Sequence, residues 1–116
     1  MSDTPTEIRL DRATGTLHVR FADDEAHALS AEYLRVESPS AEVQGHGPGQ
    51  RMYVGGKSNV RITAIEPVGH YAVRLVFDDG HDSGIFTWDY FRELGLGHAR
   101  KWPAYLAGLA ARGLTR

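Results

Sequence analysis

The 116 residues contain no cysteine. Disulfides, thiolate nucleophiles and sulfur-bound metal clusters are therefore excluded at the outset. There is no apolar run long enough to span a bilayer and no basic-then-apolar leader after Met1, so a cytoplasmic protein without a membrane partner is expected. A positive surplus is missing too: 13 Lys and Arg stand against 15 Asp and Glu, a formal net charge of −2. That balance offers no electrostatic basis for binding nucleic acid or an anionic membrane. Repeats and dividing linkers are also lacking, and residues 1–116 read as a single domain.

What is present suits an ordinary globular core. Hydrophobic residues make up 41% of the chain, with two Trp and five Tyr among them. A chain of this size buries roughly two-thirds of its unfolded surface on folding, enough for a core without covalent staples.

The pattern along the chain changes from strand-like to helical. Met1 to Thr6 is polar and expected to fray. Glu7 to Leu10 and Thr16 to Phe21 read as strands, joined through the turn chemistry of Asp11 to Gly15 into a hairpin. Ala26 to Leu29 suggests a third strand, after which Ser30 is suited to cap a short helix over Ala31 to Arg35. Residues Ser38 to Gly56 then interrupt the order with five Gly and two Pro. A loop of that length inside a compact domain is uncommon. Val60 to Ile65 and Tyr71 to Phe77 alternate as half-buried strands do, and Gly84 to Thr87 adds a short one. Thr87 then caps a helix with Gly95 at its end. A last helix covers Ala99 to Arg112, with Pro103 tolerated only in a first turn, so its firm part begins there. Leu106, Leu109 and Ala110 share one face of it, and Gly113 closes it. Strands first and helices last predict an α+β fold of two layers, a mostly antiparallel sheet with the C-terminal helices on one face.

Several clusters invite a chemical reading. The run Asp78-Asp79-Gly80-His81-Asp82-Ser83-Gly84 holds three carboxylates and an imidazole, yet its acidic positions do not alternate as a calcium loop requires. Neighbouring His81, Asp82 and Ser83 point to opposite sides of an extended segment and cannot converge on one substrate atom. A turn joining two strands is the simpler reading. Gly55-Gly56-Lys57-Ser58 resembles the tail of a phosphate loop, but Arg51 stands where the first glycine belongs, and a strand-like segment follows instead of a helix. The loop from Gly45 to Arg51, with His46 at its start and Lys57 beyond, is open to two readings: an anion-binding nest or a plain surface loop. The six histidines, at 18, 27, 46, 70, 81 and 98, show no metal-binding spacing. Trp88, Tyr90, Phe91 and Leu94 load one short helix with apolar surface, for the core or as an exposed anchor.

Two segments carry a resemblance. Leu34-Arg35-Val36-Glu37-Ser38-Pro39-Ser40-Ala41-Glu42-Val43 and Phe77-Asp78-Asp79-Gly80-His81-Asp82-Ser83-Gly84-Ile85-Phe86-Thr87-Trp88-Asp89-Tyr90 are similar to the N-terminal domain of gamma-butyrobetaine and trimethyllysine hydroxylases, over about residues 6 to 112. That domain also occurs as short free-standing bacterial proteins and fused to Mrp-type P-loop carriers of iron–sulfur clusters. The hydroxylases keep their iron and 2-oxoglutarate site in a separate domain, so the resemblance does not imply hydroxylation. Family members with a zinc site hold the ion with Cys-x-Cys-x-x-Cys in the first segment and a His in the second. The matching positions here are Ser38, Ser40, Val43 and His81, of which only the His is a good ligand. The resemblance thus implies that Ser38, Ser40 and His81 lie together in space, joined by hydrogen bonds instead of metal, with the two serines bonding backbone of their own loop.

The expected function is that of an accessory or protein-interaction domain without catalytic activity or cofactor. The fused occurrences imply a protein partner, with the Mrp-type iron–sulfur carrier as candidate. The alternative is a small-molecule or anion-binding domain using the Gly-rich loop and the His81 turn. The surface open to either role comprises His46, Arg51, Lys57, Asp78, Asp79, His81, Asp82 and Trp88. An enzyme built on Asp78, Asp79, His81 and Asp82 would need a deep pocket with a strongly shifted carboxylate.

Overall fold

In a computed structural model that describes residues 4–45 and 51–116, the chain forms six strands and four helices. Strand β1 (Glu7–Asp11), β2 (Thr16–Arg20) and β3 (Ala26–Ser30) make one antiparallel sheet, and β4 (Ile62–Val68), β5 (Ala72–Phe77) and β6 (Ile85–Thr87) make another, each in sequence order. Helices α1 (Ala31–Val36) and α2 (Ala41–Gln44) follow the first sheet, and α3 (Trp88–Leu96) and α4 (His98–Ala111) follow the second. This is an α+β fold; the antiparallel strands expected from the alternation divide between two three-stranded sheets. No helix among the described residues is long and apolar enough to cross a membrane.

Local chemistry explains the turns. The Asp11 carboxylate accepts the Ala13 and Thr14 amides, and Gly15 takes φ +69° to reverse the chain into β2. Alternation in β2 buries Leu17 and Val19 and turns His18 and Arg20 the other way. Ser30 caps α1 as expected, its hydroxyl accepting the Tyr33 amide at 3.1 Å. Thr87 does the same for α3, accepting from Tyr90 at 3.1 Å. Both sheets, α1 and α3 feed one core, in which Leu17, Phe21, Leu29, Leu34, Leu75, Phe77, Phe86 and Phe91 meet, with Trp102 of α4 packed against it. A smaller cluster of Val36, Tyr105 and Leu109 lies beside it, with Tyr53 and Trp102 packed against it.

Four local expectations require correction. Strand β4 begins at Ile62 and not at Val60, because the Val60 amide closes a turn onto the Lys57 carbonyl and the Arg61 amide is taken by the Asp78 carboxylate. It runs on through Pro67, which is tolerated because β4 is an edge strand. Residues Ala41 to Gln44, inside the long loop, form the helical turn α2. Gly95 does not end its helix. It lies within α3, where a Cβ would overlap the His27 ring, and α3 ends at Gly97. Finally, α4 is continuous from His98 through Pro103. The ring leaves the Ala99 carbonyl without its helical donor, and both residues are exposed, where such a loss costs least.

The buried stripe of α4 is also rotated: Tyr105, Gly108 and Leu109 face inward, whereas Leu106 is 37% exposed. The cause is Tyr53. Its ring lies directly on Gly108, stacks on Tyr105 at 6.5 Å, and carries the Arg112 guanidinium 4.1 Å from its centroid. Gly108→Ala should therefore destabilise by about 1–3 kcal/mol through steric overlap. Helix propensity alone would favour Ala by up to about 1 kcal/mol. Denaturant unfolding decides which effect wins.

Candidate functional site

Three elements converge on one polar cluster: the end of α1, the turn of α2, and the turn between β5 and β6. Ser38 follows α1 and is fully buried, while Ser40, 8% exposed, begins α2. His81 enters from the β5–β6 turn and is 5% exposed. Its Nε2 lies 2.9 Å from Ser38 Oγ and 3.4 Å from Ser40 Oγ, and the two hydroxyl oxygens are 3.4 Å apart. Its Nδ1 lies 3.2 Å from Glu42 Oε2. A carboxylate only accepts, so Nδ1 carries the proton and Nε2 accepts from the Ser38 hydroxyl. Ser38 Oγ in turn accepts the Ser40 amide at 3.4 Å. Ser83 donates to the other Glu42 oxygen at 2.9 Å, and that hydrogen bond draws the Glu42 carboxyl below its usual range.

Of the positions matched through the family resemblance, Ser38, Ser40 and His81 thus come together. Ser38 does bond backbone of its own loop, as expected; the Ser40 hydroxyl bonds only side chains. Val43, 1% exposed, packs in the interior and supplies no donor. One imidazole nitrogen, two neutral hydroxyls already bound to it and an isopropyl group do not fit zinc, which takes thiolate, imidazole or carboxylate. Among the described residues, no group of three or more His, Asp or Glu could hold a metal ion.

Below this cluster runs a chain of ion pairs. Asp79 Oδ2 lies 2.7 Å from both Arg35 Nε and Lys57 Nζ, and its Oδ1 accepts the His81 amide at 3.0 Å. Burial alone would raise the Asp79 carboxyl, but the Lys57 contact, the His81 amide and Arg35 outweigh it and hold the group far below its ordinary value. Arg51 is paired with Glu37 at 2.9 Å, and Glu37 is 1% exposed. The Glu37 backbone carbonyl also accepts the Tyr90 hydroxyl.

Of the surface proposed from sequence, little is free. Arg51, Lys57 and Asp79 are committed to these pairs, and His81 is buried, not displayed. Trp88 is no exposed anchor either: it is 7% exposed, with its indole N–H donated to the His70 carbonyl at 2.9 Å. Asp78 accepts the Arg61 amide, and Asp82, largely exposed, lies 3.4 Å from Arg74. His46 lies outside the described residues. Sequence reasoning missed Glu42, Arg35 and Glu37, whose charges mark them as surface residues by default. Only the closeness of Glu42 to Ser40 along the chain hinted at its part.

The order Ser38, His81, Glu42 has the connectivity of a hydrolytic triad, but its exposure is inverted. The hydroxyl that would attack has no exposed surface, while the Glu42 side chain that should be sequestered is 68% exposed. As arranged, the cluster fastens three segments together.

Burial lowers the His81 pKa, and the nearby Arg35 charge lowers it further, against a smaller opposing pull from Glu42. A folded value below the unfolded one means that the neutral ring stabilises the fold. That contribution is complete above the unfolded pKa of about 6.5 and is lost as pH falls through it towards the folded value. Denaturant unfolding at pH 7.5 and 5.5 should show this loss, and His81→Gln should remove most of the difference. The Asp79 contribution behaves separately, being lost only as pH falls below the ordinary aspartate range near 3.9.

The model of the family "Gamma-butyrobetaine hydroxylase-like, N-terminal" matches residues 8–92. A structure solved in solution by NMR is 49% identical, covering 100% of this chain and 91% of its own, with a TM-score of 0.85. A second NMR structure is 45% identical over 98% of this chain and 85% of its own, with a TM-score of 0.84. The crystal structure of a protein of unknown function of the DUF971 family, from Acidithiobacillus ferrooxidans, is 42% identical. It covers 79% of this chain and 92% of its own, with a TM-score of 0.67. No curated protein matches the chain.

Proposed function

We propose that this chain, which belongs to the gamma-butyrobetaine hydroxylase-like N-terminal family, serves as a non-catalytic interaction domain that meets a protein partner in the cytoplasm. The observation that carries this reading is the inverted exposure of the constellation with catalytic connectivity: Ser38 is buried and Glu42 is open to solvent. A group that substrate cannot reach contributes stability, and the rest of the molecule offers shape. The pairing of Arg51 with Glu37 and of Lys57 with Asp79 weighs against the alternative of anion binding at the Gly-rich loop and the His81 turn, because a ligand there would first have to displace carboxylates already bound, one of which, Glu37, is buried.

An Mrp-type P-loop iron–sulfur carrier is the candidate partner, on the strength of the fused arrangements that the family resemblance implies. Titration calorimetry of the purified domain against such a carrier, with and without its cluster, tests the assignment. Saturable binding with a dissociation constant of micromolar or below, about −8 kcal/mol or stronger, is the expected result. Heats no larger than those of dilution would remove this partner. Ester or amide hydrolysis that disappears in Ser38→Ala would remove the non-catalytic reading itself.

A further inference from the structure

We propose that the cleft between the β1–β2 turn and the start of β4 binds a small phosphate monoester through Arg12 and Arg61. The cleft is a depression of about 190 Å³ lined by Leu10, Arg12, Gly15, Arg61, Ile62 and Thr63. It shares no lining residue with the Ser38–His81 cluster. Most cations of this chain sit against carboxylates: Arg9 and Arg20 share Glu7, Arg35 and Lys57 share Asp79, and Arg51, Arg74, Arg92, Lys101 and Arg116 face Glu37, Glu66, Glu25, Glu93 and Glu32. Arg12 and Arg61 make no ion pair among the described residues, and both line this one depression.

The backbone touches one of the two guanidinium groups at two places. Gly15 adopts φ +69°, and a Cβ on it would come within 2.8 Å of Arg61 Nη1, so the guanidinium rests on the turn only because the side chain is missing. Arg61 Nη1 also donates to the Val60 carbonyl at 3.3 Å. That contact uses one of five N–H donors and leaves the rest of the planar fork for an oxyanion. Arg12, on the exposed turn, supplies the second positive charge. Leu10 and Ile62 provide apolar walls against which the interaction is less screened than in open water.

Two neighbouring carboxylates set the limits. Asp11 spends an oxygen on the Ala13 and Thr14 amides, and Asp78 spends one on the Arg61 amide. The turn amides are thus already satisfied, as is the Thr63 hydroxyl, which donates to the Val76 carbonyl at 3.2 Å. Recognition must come from the two guanidinium groups, which match a doubly charged phosphate better than a single carboxylate. Asp78 opposes the anion, and its neutralisation should strengthen binding.

The test is a chemical-shift titration of the whole chain with glycerol 2-phosphate, beside inorganic phosphate and sodium chloride at equal ionic strength. The expected result is saturable shifts at Gly15, Arg61 and Ile62 with the ester, at concentrations where chloride produces none. Arg61→Gln and Arg12→Gln should each weaken binding at least ten-fold, and Asp78→Asn should tighten it. Shifts with inorganic phosphate but none with the ester would overturn the monoester assignment. Shifts that match those of chloride, or that survive in the double Gln variant, would overturn the site. Neither outcome bears on the interaction role, which rests on other residues.

Discussion

Replacing Asp79 by alanine is expected to lower the unfolding free energy by about 2–3 kcal/mol, between the values for an exposed and a fully buried ion pair, because Arg35 is buried and Asp79 only partly so. Arg35 is the reason: its side chain is 11% exposed and its Nε points at Asp79 Oδ2. Without the carboxylate the guanidinium remains in place with its charge uncompensated. Lys57, 22% exposed, can turn to water and loses less. The His81 amide also loses its acceptor, which loosens the turn that delivers the imidazole. Native stabilities are commonly 5–15 kcal/mol, so such a loss takes a large part of the whole. Equilibrium urea unfolding measures it directly. A change below about 1 kcal/mol, the size of a surface pair, would show that the pair is effectively solvated and that the brace lies elsewhere.

A larger effect of opposite sign is expected from Ser38→Cys, Ser40→Cys and Val43→Cys made together. The two hydroxyl oxygens already lie 3.4 Å apart and 2.9 and 3.4 Å from His81 Nε2. Ligand atoms held about 2.0–2.3 Å from one zinc ion stand at comparable separations. With a cysteine also at 43, the chain carries the three thiolates and one imidazole that a closed tetrahedral zinc site requires. Metal binding to a site absent from the unfolded chain adds to folding stability, on the order of 10 kcal/mol in small zinc domains. The triple variant should therefore bind one equivalent of zinc and melt at least ~10 °C higher with the ion than without it, since about 1 kcal/mol moves the midpoint of a domain this size by several degrees. Zinc-independent melting would mean that the backbone here no longer fits the ion.

How far the sequence foretold this molecule depended on how local each signal was. The caps at Ser30 and Thr87 and the strands on either side of Asp11–Gly15 rest on residues a few positions apart, and all stand in the structure. The antiparallel α+β class followed from the order of those elements. What failed was set by partners distant in the chain. Gly95 looks like a helix end, and only the His27 ring against it explains why it lies inside α3. Leu106, Leu109 and Ala110 form a sound apolar stripe, yet Tyr53 turns α4 by about one residue, towards Gly108.

The cluster itself shows the same division. Ser38 and His81 are 43 residues apart, and nothing in periodicity or spacing joins them; the family resemblance alone brought them together in advance. Glu42 was missed because a glutamate in a polar loop reads as solvated, and its side chain is indeed mostly exposed. Arg35 and Glu37 were missed for the opposite reason. Charged residues are seldom fully buried unless paired, and their partners, Asp79 and Arg51, are recognisable only in three dimensions.

Whether the positions of the zinc ligands now act as a metal-free brace is answered most directly by thermal unfolding of the untagged wild-type protein with and without excess chelator, beside metal analysis of the same sample. The expected result is less than one-tenth of an equivalent of zinc and a melting temperature that the chelator leaves unchanged. Stoichiometric zinc, or a fold that is lost on chelation, would contradict the account.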